Sequence, residues 1–210
     1  MKQSIWRVIF ACVLLALLGA VDAFAFGPGD EFFLAGVELD ARGRPAEAVE
    51  AYTEAIKRCP ADYEAFLNRG AAYVLLEQYE LAIGDFTEVI RLHPADTDAW
   101  YNRGACWTEM GRYAEAVKDY DEALRLDPMD ADAYYNRGYA LLRLGRREEG
   151  VHDFRSVVRL EPTAGDAREQ LGLAFWEQGD LDRACPELQE ACDLGACEGL
   201  ELAREKRHCR

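Results

Sequence analysis

Apolar residues recur at helical spacing from residue 30 onward. The first group, spaced three and four residues apart, consists of Phe32, Phe33, Ala35, Gly36 and Leu39. This spacing predicts an amphipathic helix, which the segment Arg42-Gly43-Arg44-Pro45 ends. A second helical pattern carries Ala48, Tyr52, Ala55 and Ile56 and ends at Cys59-Pro60. The predicted unit is therefore helix, tight turn, helix, proline.

This unit recurs with a period of 34 residues. Complete copies occupy residues 29–62, 63–96, 97–130 and 131–164, and a degenerate fifth copy begins in residues 165–210. Glycines and prolines that keep the period are Gly70, Gly104, Gly138, Gly172, Pro60, Pro94, Pro128 and Pro162. One helical hairpin cannot bury its own apolar face, so successive copies must stack to form a core.

The unit resembles the tetratricopeptide repeat. Counting from residues 29, 63, 97 and 131, position 8 is always glycine, position 20 is alanine or glycine, and positions 4 and 24 are always aromatic. The aromatic residues are Phe32, Phe66, Trp100 and Tyr134 at position 4, and Tyr52, Phe86, Tyr120 and Phe154 at position 24. The resemblance implies an all-α fold, a right-handed superhelical solenoid of antiparallel helix pairs. First helices would line its concave side, and a capping helix would follow the fifth repeat.

Each signature position has a physical role in such a stack. Small residues at positions 8 and 20 let the two helices of a repeat approach closely, and the proline at position 32 ends the second helix. Aromatic side chains at positions 4 and 24 are expected to fill the space between consecutive repeats.

Repeats two to four also share an arginine at position 7 and an aspartate at position 23. These are Arg69, Arg103 and Arg137 with Asp85, Asp119 and Asp153. Repeat one has Ala35 and Ala51 at the same places, so it lacks both partners together. We therefore expect an ion pair between the two helices of one repeat, for which losing one buried partner costs more than losing both.

Positions 2, 5, 6, 9, 12 and 13 of each first helix would face the concave groove. Candidate peptide-binding residues there are Asn68, Asn102, Asn136, Tyr101, Tyr135, Tyr139, Asp98, Asp132, Glu109 and Arg143. The asparagines form a ladder of amides that both donate and accept hydrogen bonds, which suits an extended peptide or a partner helix. The alternative is that Asn-Arg-Gly is a common form of this repeat and serves no ligand.

The groove does not match the carboxylate clamp of chaperone-binding members of the family. Asn68 fits one clamp position, but Phe33, Val37 and Asp132 stand where the clamp needs lysine or asparagine. Position 2 is acidic in every copy: Asp30, Glu64, Asp98, Asp132 and Asp166. With a net charge of −15, the chain suits a neutral or basic protein or peptide and disfavours nucleic acid.

The chemistry of enzymes is not visible in the sequence. It has no glycine-rich phosphate loop, no G-x-S-x-G and no H-E-x-x-H, and its three histidines are far apart in the chain. We expect no catalytic residue, no cofactor and no bound metal.

Residues 1–25 have the layout of a secretory signal peptide. Lys2 and Arg7 precede an apolar run over residues 8–21, and Ala23-Phe24-Ala25 offers a cleavage site before Phe26. The run is short for a membrane span. The expected location is therefore exported, periplasmic or secreted, and an uncleaved anchor in the inner membrane is the alternative.

Four cysteines crowd into residues 185–209. Residues 191–200 resemble the junction of Sel1-like repeats, with residues 198–207 as a final helix. Cys185 and Cys192 are about 10 Å apart along one helix, too far to bond. Cys192 would then pair with Cys197 across the turn, and Cys185 with Cys209. Free thiols or a metal site are the alternatives. Cys12 lies in the predicted signal peptide, and the two other cysteines of the mature chain, Cys59 and Cys106, are expected unpaired.

Pro186 lies where the second helix of repeat five should be continuous. That helix is therefore expected to start late or to kink.

The function expected from these features is a non-enzymatic interaction scaffold. Alternatives from other classes are a membrane-anchored assembly factor and a cysteine-based redox or metal-binding protein.

Overall fold

The computed structural model describes residue 27 and residues 29–209. The predicted signal peptide lies outside these residues. Within them the chain forms eleven α-helices and no strand. The helices are α1 (Asp30–Ala41), α2 (Pro45–Arg58), α3 (Tyr63–Leu75), α4 (Tyr79–Leu92), α5 (Thr97–Glu109), α6 (Tyr113–Leu126), α7 (Ala131–Arg143), α8 (Arg147–Leu160), α9 (Gly165–Glu177), α10 (Leu181–Asp193) and α11 (Glu198–Glu205).

The helices pack as consecutive hairpins in a single row. Each helix packs against the next one. First helices of neighbouring repeats also touch: α1 contacts α3, α3 contacts α5, and α5 contacts α7. Because the first helices approach each other directly, they form the inner side of the stack. The predicted all-α solenoid of antiparallel helix pairs is confirmed.

Aspartates at repeat position 34 start three of the first helices. Asp62, Asp96 and Asp130 are N-cap residues whose carboxylates accept a hydrogen bond from the third backbone N–H of α3, α5 and α7. The caps satisfy N–H groups that have no partner inside the helix. Before α9 the same position is Ala164, which provides no side-chain cap.

The core between the two helices of a repeat depends on the position-8 glycine. A Cβ atom added to Gly104 would lie 2.9 Å from Cε1 of Tyr120, a ring that is fully buried. The corresponding aromatics of the other complete repeats are also fully buried. Glycine at position 8 and an aromatic ring at position 24 are therefore one packing unit.

The position-4 aromatics are less buried than those of position 24, and Tyr134 packs against the core between repeats four and five as expected. Trp100 is only half-buried, so it does not fill the core as Tyr120 does. Its Nε1 atom donates to the carbonyl oxygen of Pro94 at 3.0 Å, and the Arg103 guanidinium lies 5.0 Å from its ring centre. In repeats two to four, the ring at position 4 therefore lies against the arginine of position 7, and the fully buried ring is the one at position 24.

The expected ion pairs are present in repeats two to four. In repeat three, Nε and Nη2 of Arg103 donate to the two carboxylate oxygens of Asp119, both at 2.7 Å. The third nitrogen, Nη1, donates to Thr87 on α4 of the preceding repeat at 3.0 Å. Arg69 and Arg137 likewise donate both to the aspartate of their own repeat and to a residue on the second helix of the preceding repeat. The arginine thus joins the second helices of two consecutive repeats, which the sequence pattern did not indicate.

Of the two expectations for the helix around Pro186, a late start or a kink, the late start is wrong. Helix α10 begins at Leu181 and contains Pro186 as its sixth residue. Proline removes one intrahelical hydrogen bond. The Asp180 side chain caps the first turn, and Leu188 is fully buried. Packing and capping therefore compensate for the lost bond.

The last helix covers the end of the stack. Helix α11 ends at Glu205, two residues before the predicted end, and Arg207 follows with a positive φ of 61°. The N–H of Gly199 donates to Glu169 of α9 at 2.6 Å, and Leu200 is buried. None of the helices described is long and apolar enough to span a membrane.

Candidate peptide-binding groove

One face of α7 carries half of the predicted groove residues. Asp132, Tyr135, Tyr139 and Arg143 follow each other at intervals of three or four residues, and Asn136 lies four residues after Asp132 and three before Tyr139. Because a helix completes three turns in about 11 residues, these side chains lie along the same face. The sequence-predicted site is therefore continuous on this helix.

The amide ladder is not uniform. Nδ2 of Asn136 donates to the hydroxyl of Tyr101 on α5 at 2.9 Å, and Nδ2 of Asn68 donates to the backbone carbonyl of Glu64 at 2.8 Å. The side chain of Asn102 has no hydrogen-bond partner within residues 29–209. Asn136 therefore links two repeats, whereas the Asn102 amide has no such link within these residues.

The tyrosines of position 5 are half-buried against the core. The Tyr101 ring centre lies 5.9 Å from that of Tyr120, and the Tyr135 ring centre lies 5.5 Å from that of Phe154. Burial raises the pKa of both phenols, and nearby carboxylates raise it further, foremost Asp132 beside Tyr101 and Asp166 beside Tyr135. Both hydroxyls stay protonated at neutral pH and stand in a field of negative charge.

The acidic residues of position 2 are exposed in all five repeats. None of them forms an ion pair within the part of the chain that the structure describes. The pKa of the Asp98 carboxyl is raised, first by desolvation and then by the charges of Asp96 and Asp130. Asp96 and Asp130 are helix caps, so it is the position-2 carboxylates that remain available to a cation.

A cleft of about 540 Å³ opens between α7, the start of α9 and the turn at residues 194–196. The first helices α7 and α9 make less direct contact with each other than the first helices of the earlier repeats do. Three carboxylates line the cleft together with a phenol and apolar side chains: Asp132, Glu161, Asp166, Tyr135, Val157 and Leu194. The cleft has room for a side chain and is negative on several sides.

The opposite end of α7 carries a positive charge. Arg143 is exposed, and its Nη1 donates to the hydroxyl of Tyr139 at 2.8 Å. Its guanidinium carbon lies 4.8 Å from the ring centre of Tyr113. Arg143 forms no ion pair within the described residues. Glu109, at the same position one repeat earlier, is also exposed.

Two features of the groove were missed from the sequence. Tyr113 belongs to the second helix of repeat three, so its contact with Arg143 was not visible in a list of first-helix positions. The turn at residues 194–196 belongs to the cap, yet it forms one wall of the cleft. The change from aspartate to Ala164 at position 34 is the signal that could have marked this junction as different.

Two disulfides hold the cap in the structure. Cys185 is joined to Cys209 with their Cα atoms 5.5 Å apart, and Cys192 to Cys197 with their Cα atoms 4.0 Å apart. This is the pairing proposed from the sequence, and oxidation in the cell stays a prediction. The second bond closes the turn that forms the wall of the cleft.

The other two described cysteines, Cys59 and Cys106, are not bonded. Burial raises the pKa of the Cys106 thiol to about 12. Among residues 29–209, no group of three or more histidine, cysteine or acidic side chains is placed to hold a metal ion.

Comparisons with known proteins agree with this architecture. MamA residues 41 to the end from Desulfovibrio magneticus RS-1 is 24% identical and superimposes with a TM-score of 0.77, covering 81% of this chain and 96% of that one. YrrB, described as a tetratricopeptide repeat protein with an unusual peptide-binding site, is 22% identical with a TM-score of 0.74, covering 83% of this chain and 90% of that one. At these identities the likeness concerns the fold. None of the curated proteins compared matches the chain significantly.

Sequence profiles of the repeat match the chain over most of its solenoid. The profile described as tetratricopeptide repeat matches residues 33–94 and 135–196, which together exceed half of the chain. A second profile, described as TPR repeat, matches residues 108–145 and overlaps the later of these two ranges. This chain belongs to the tetratricopeptide repeat family.

Proposed function

We propose that this protein is an exported, non-enzymatic scaffold that holds a neutral or basic protein segment against its first helices. Tetratricopeptide repeats form a protein-interaction fold, and a rigid row of helices presents side chains at a fixed spacing. The observation that carries the proposal is the row of exposed position-2 carboxylates, unpaired within the described residues, beside Asn102 and the tyrosines. Such a surface offers cation recognition and hydrogen bonds at once.

The electrostatics support a basic segment in particular. The carboxylates that raise the pKa of Tyr101 and Tyr135 include Asp132 and Asp166, two of the position-2 residues. Opposite charges across an interface speed association and exclude partners of the wrong sign. A basic segment would meet the groove without the repulsion that an acidic one would meet at the position-2 edge.

Charge reversal on the first helices tests this proposal. A photo-crosslinking amino acid at residue 135 should capture a partner in cells, and replacing Asp98, Asp132 and Asp166 by lysine should abolish the capture. The matched control makes the same charge change on second helices, at Glu80, Glu148 and Asp182, which are exposed and form no ion pair within residues 29–209. Equal loss of capture in both variants, or equal capture from a crosslinker at residue 125, would place binding elsewhere.

Export is a separate part of the proposal. N-terminal sequencing of the native protein should find a start at Phe26, and the protein should fractionate with exported proteins. An oxidising compartment would permit the two disulfides of the cap. A start at Met1 in a membrane fraction would favour the anchored alternative instead.

A further inference from the structure

The groove has opposite charges at the two ends of one helix. Asp132 stands in the first turn of α7, where the cleft with Tyr135 and Asp166 opens, and Arg143 is the last residue of the same helix. A separation of 11 residues corresponds to about 16 Å along the axis and to about three full turns. A ligand lying along α7 therefore meets carboxylates at one end and a guanidinium at the other.

Arg143 differs from most arginines of the chain. Arginines such as Arg112, Arg125 and Arg146 are hydrogen-bonded to an acidic residue three positions away. Arg143 instead donates to a phenol and lies against the Tyr113 ring. Aromatic contact orients a guanidinium without neutralising its charge. Its remaining N–H groups can form charge-assisted hydrogen bonds with a carboxylate.

The middle of the strip can hydrogen-bond a backbone. Tyr135 and Tyr139 lie between the two charged residues along α7, and Asn102 has the same repeat position on the neighbouring first helix α5 as Asn136 has on α7. Amides and phenols both donate and accept, so they match the alternating N–H and C=O groups of an extended chain.

We propose that the groove along α7 binds an extended segment with a lysine or arginine and an aspartate or glutamate four positions apart. The basic side chain enters the cleft beside Asp132 and Asp166, and the acidic side chain meets Arg143. Residues four positions apart point to the same side of an extended chain and are about 13–14 Å apart. The side chains of the peptide and of α7 bridge the difference between this distance and the separation of Asp132 and Arg143 along the helix. This inference rests on the proposed peptide-binding function and adds the charge order and spacing that the peptide must have.

A random dodecapeptide phage library tests it, with the purified protein as target. The selected peptides should pair a basic with an acidic residue at a spacing of four, in either direction along the chain. Arg143→Glu should remove the preference for the acidic residue and weaken a selected synthetic peptide about tenfold in fluorescence anisotropy, because a charge-assisted contact is lost. Arg143→Lys keeps the charge and should keep the preference.

The control variant is Arg159→Glu, which makes the same charge change at an exposed position on α8 that has no ion pair within residues 29–209. Far-UV circular dichroism establishes that each variant is folded. If the protein selects no peptides, the proposed function and this inference both fail. If it selects basic peptides without an acidic partner, or if Arg143→Glu and Arg159→Glu behave alike, only this inference fails.

Discussion

Replacing either Arg103 or Asp119 alone should destabilise the protein at least as much as replacing both, because a single replacement leaves a charge without its partner. The Asp119 side chain is 6% exposed, and that of Arg103 is 17% exposed. Arg103→Ala would leave a buried carboxylate without a cation and should lower the free energy of unfolding by about 3 kcal/mol. Asp119→Ala should cost about 2 kcal/mol, because the less buried guanidinium still has Thr87 and the Trp100 ring as partners.

The double replacement should cost only about 2 kcal/mol, since it leaves no uncompensated charge. It also reproduces repeat one, where Ala35 and Ala51 occupy these positions. The expected coupling energy is therefore about 2–3 kcal/mol, measured as a double-mutant cycle by urea unfolding followed by circular dichroism.

The exposed pair Arg112–Glu115 is the matched control. Its side chains are 49% and 37% exposed, and the two residues are three positions apart on the chain. Its coupling energy should stay below about 0.5 kcal/mol. If the two single changes at Arg103 and Asp119 add up within about 0.5 kcal/mol in the double variant, the ion pair does not brace the repeat as inferred.

Gly104→Ala should lower the free energy of unfolding by about 2 kcal/mol, because the added methyl group overpacks against a buried ring. Gly84 lies on a helix with open space around it, so Gly84→Ala should raise the free energy of unfolding by about 0.5–1 kcal/mol. Affinity for a basic peptide should fall as the pH is lowered, because the groove carboxylates bind a cation only when ionised. Desolvation and two neighbouring aspartates raise the pKa of Asp98, so the loss should begin at a higher pH than for an ordinary aspartate, and Asp98→Asn should remove that early part in a titration by anisotropy. Non-reducing mass spectrometry should find the Cys185–Cys209 bond, which closes a loop with a sequence separation of 24, and its removal should destabilise the cap by about 3 kcal/mol, seen as faster hydrogen exchange in the last helix. Equal stability of the two glycine variants, a pH profile unchanged by Asp98→Asn, or free thiols in the native protein would each contradict the corresponding argument.

Much of the fold could be predicted because the same pattern of helices and turns occurs in four complete copies. A glycine at position 8 and an aromatic at position 24 recur at one spacing, and each copy repeats the same steric requirement. The pairing of Arg103 with Asp119 was predictable for the same reason, since repeat one lacks both partners. Errors arose where a residue occurs once, as with Pro186, because a single proline does not show how well its helix is otherwise packed.

The candidate site was less predictable than the scaffold. The pattern placed Asn136 and Asn102 in the same class, yet Asn136 bonds to Tyr101 and Asn102 remains free of protein partners in residues 29–209. This difference depends on the reach of one tyrosine, 35 positions away, across two helices. The position of a residue within its repeat does not show whether its side chain reaches a residue in another repeat.

The period of 34 residues, with its glycines, aromatics and prolines, is enough to establish a stack of helical hairpins, because only stacking buries the apolar face of each copy. The sequence also shows the acidic residue at position 2 of every copy, and these residues predict a negative charge along the groove. The tertiary structure alone shows the looser contact between α7 and α9, the cleft closed by the turn at residues 194–196, and Arg143 against Tyr113. These features join residues from different repeats and from the cap, and their contacts are set by how the helices pack rather than by any spacing along the chain.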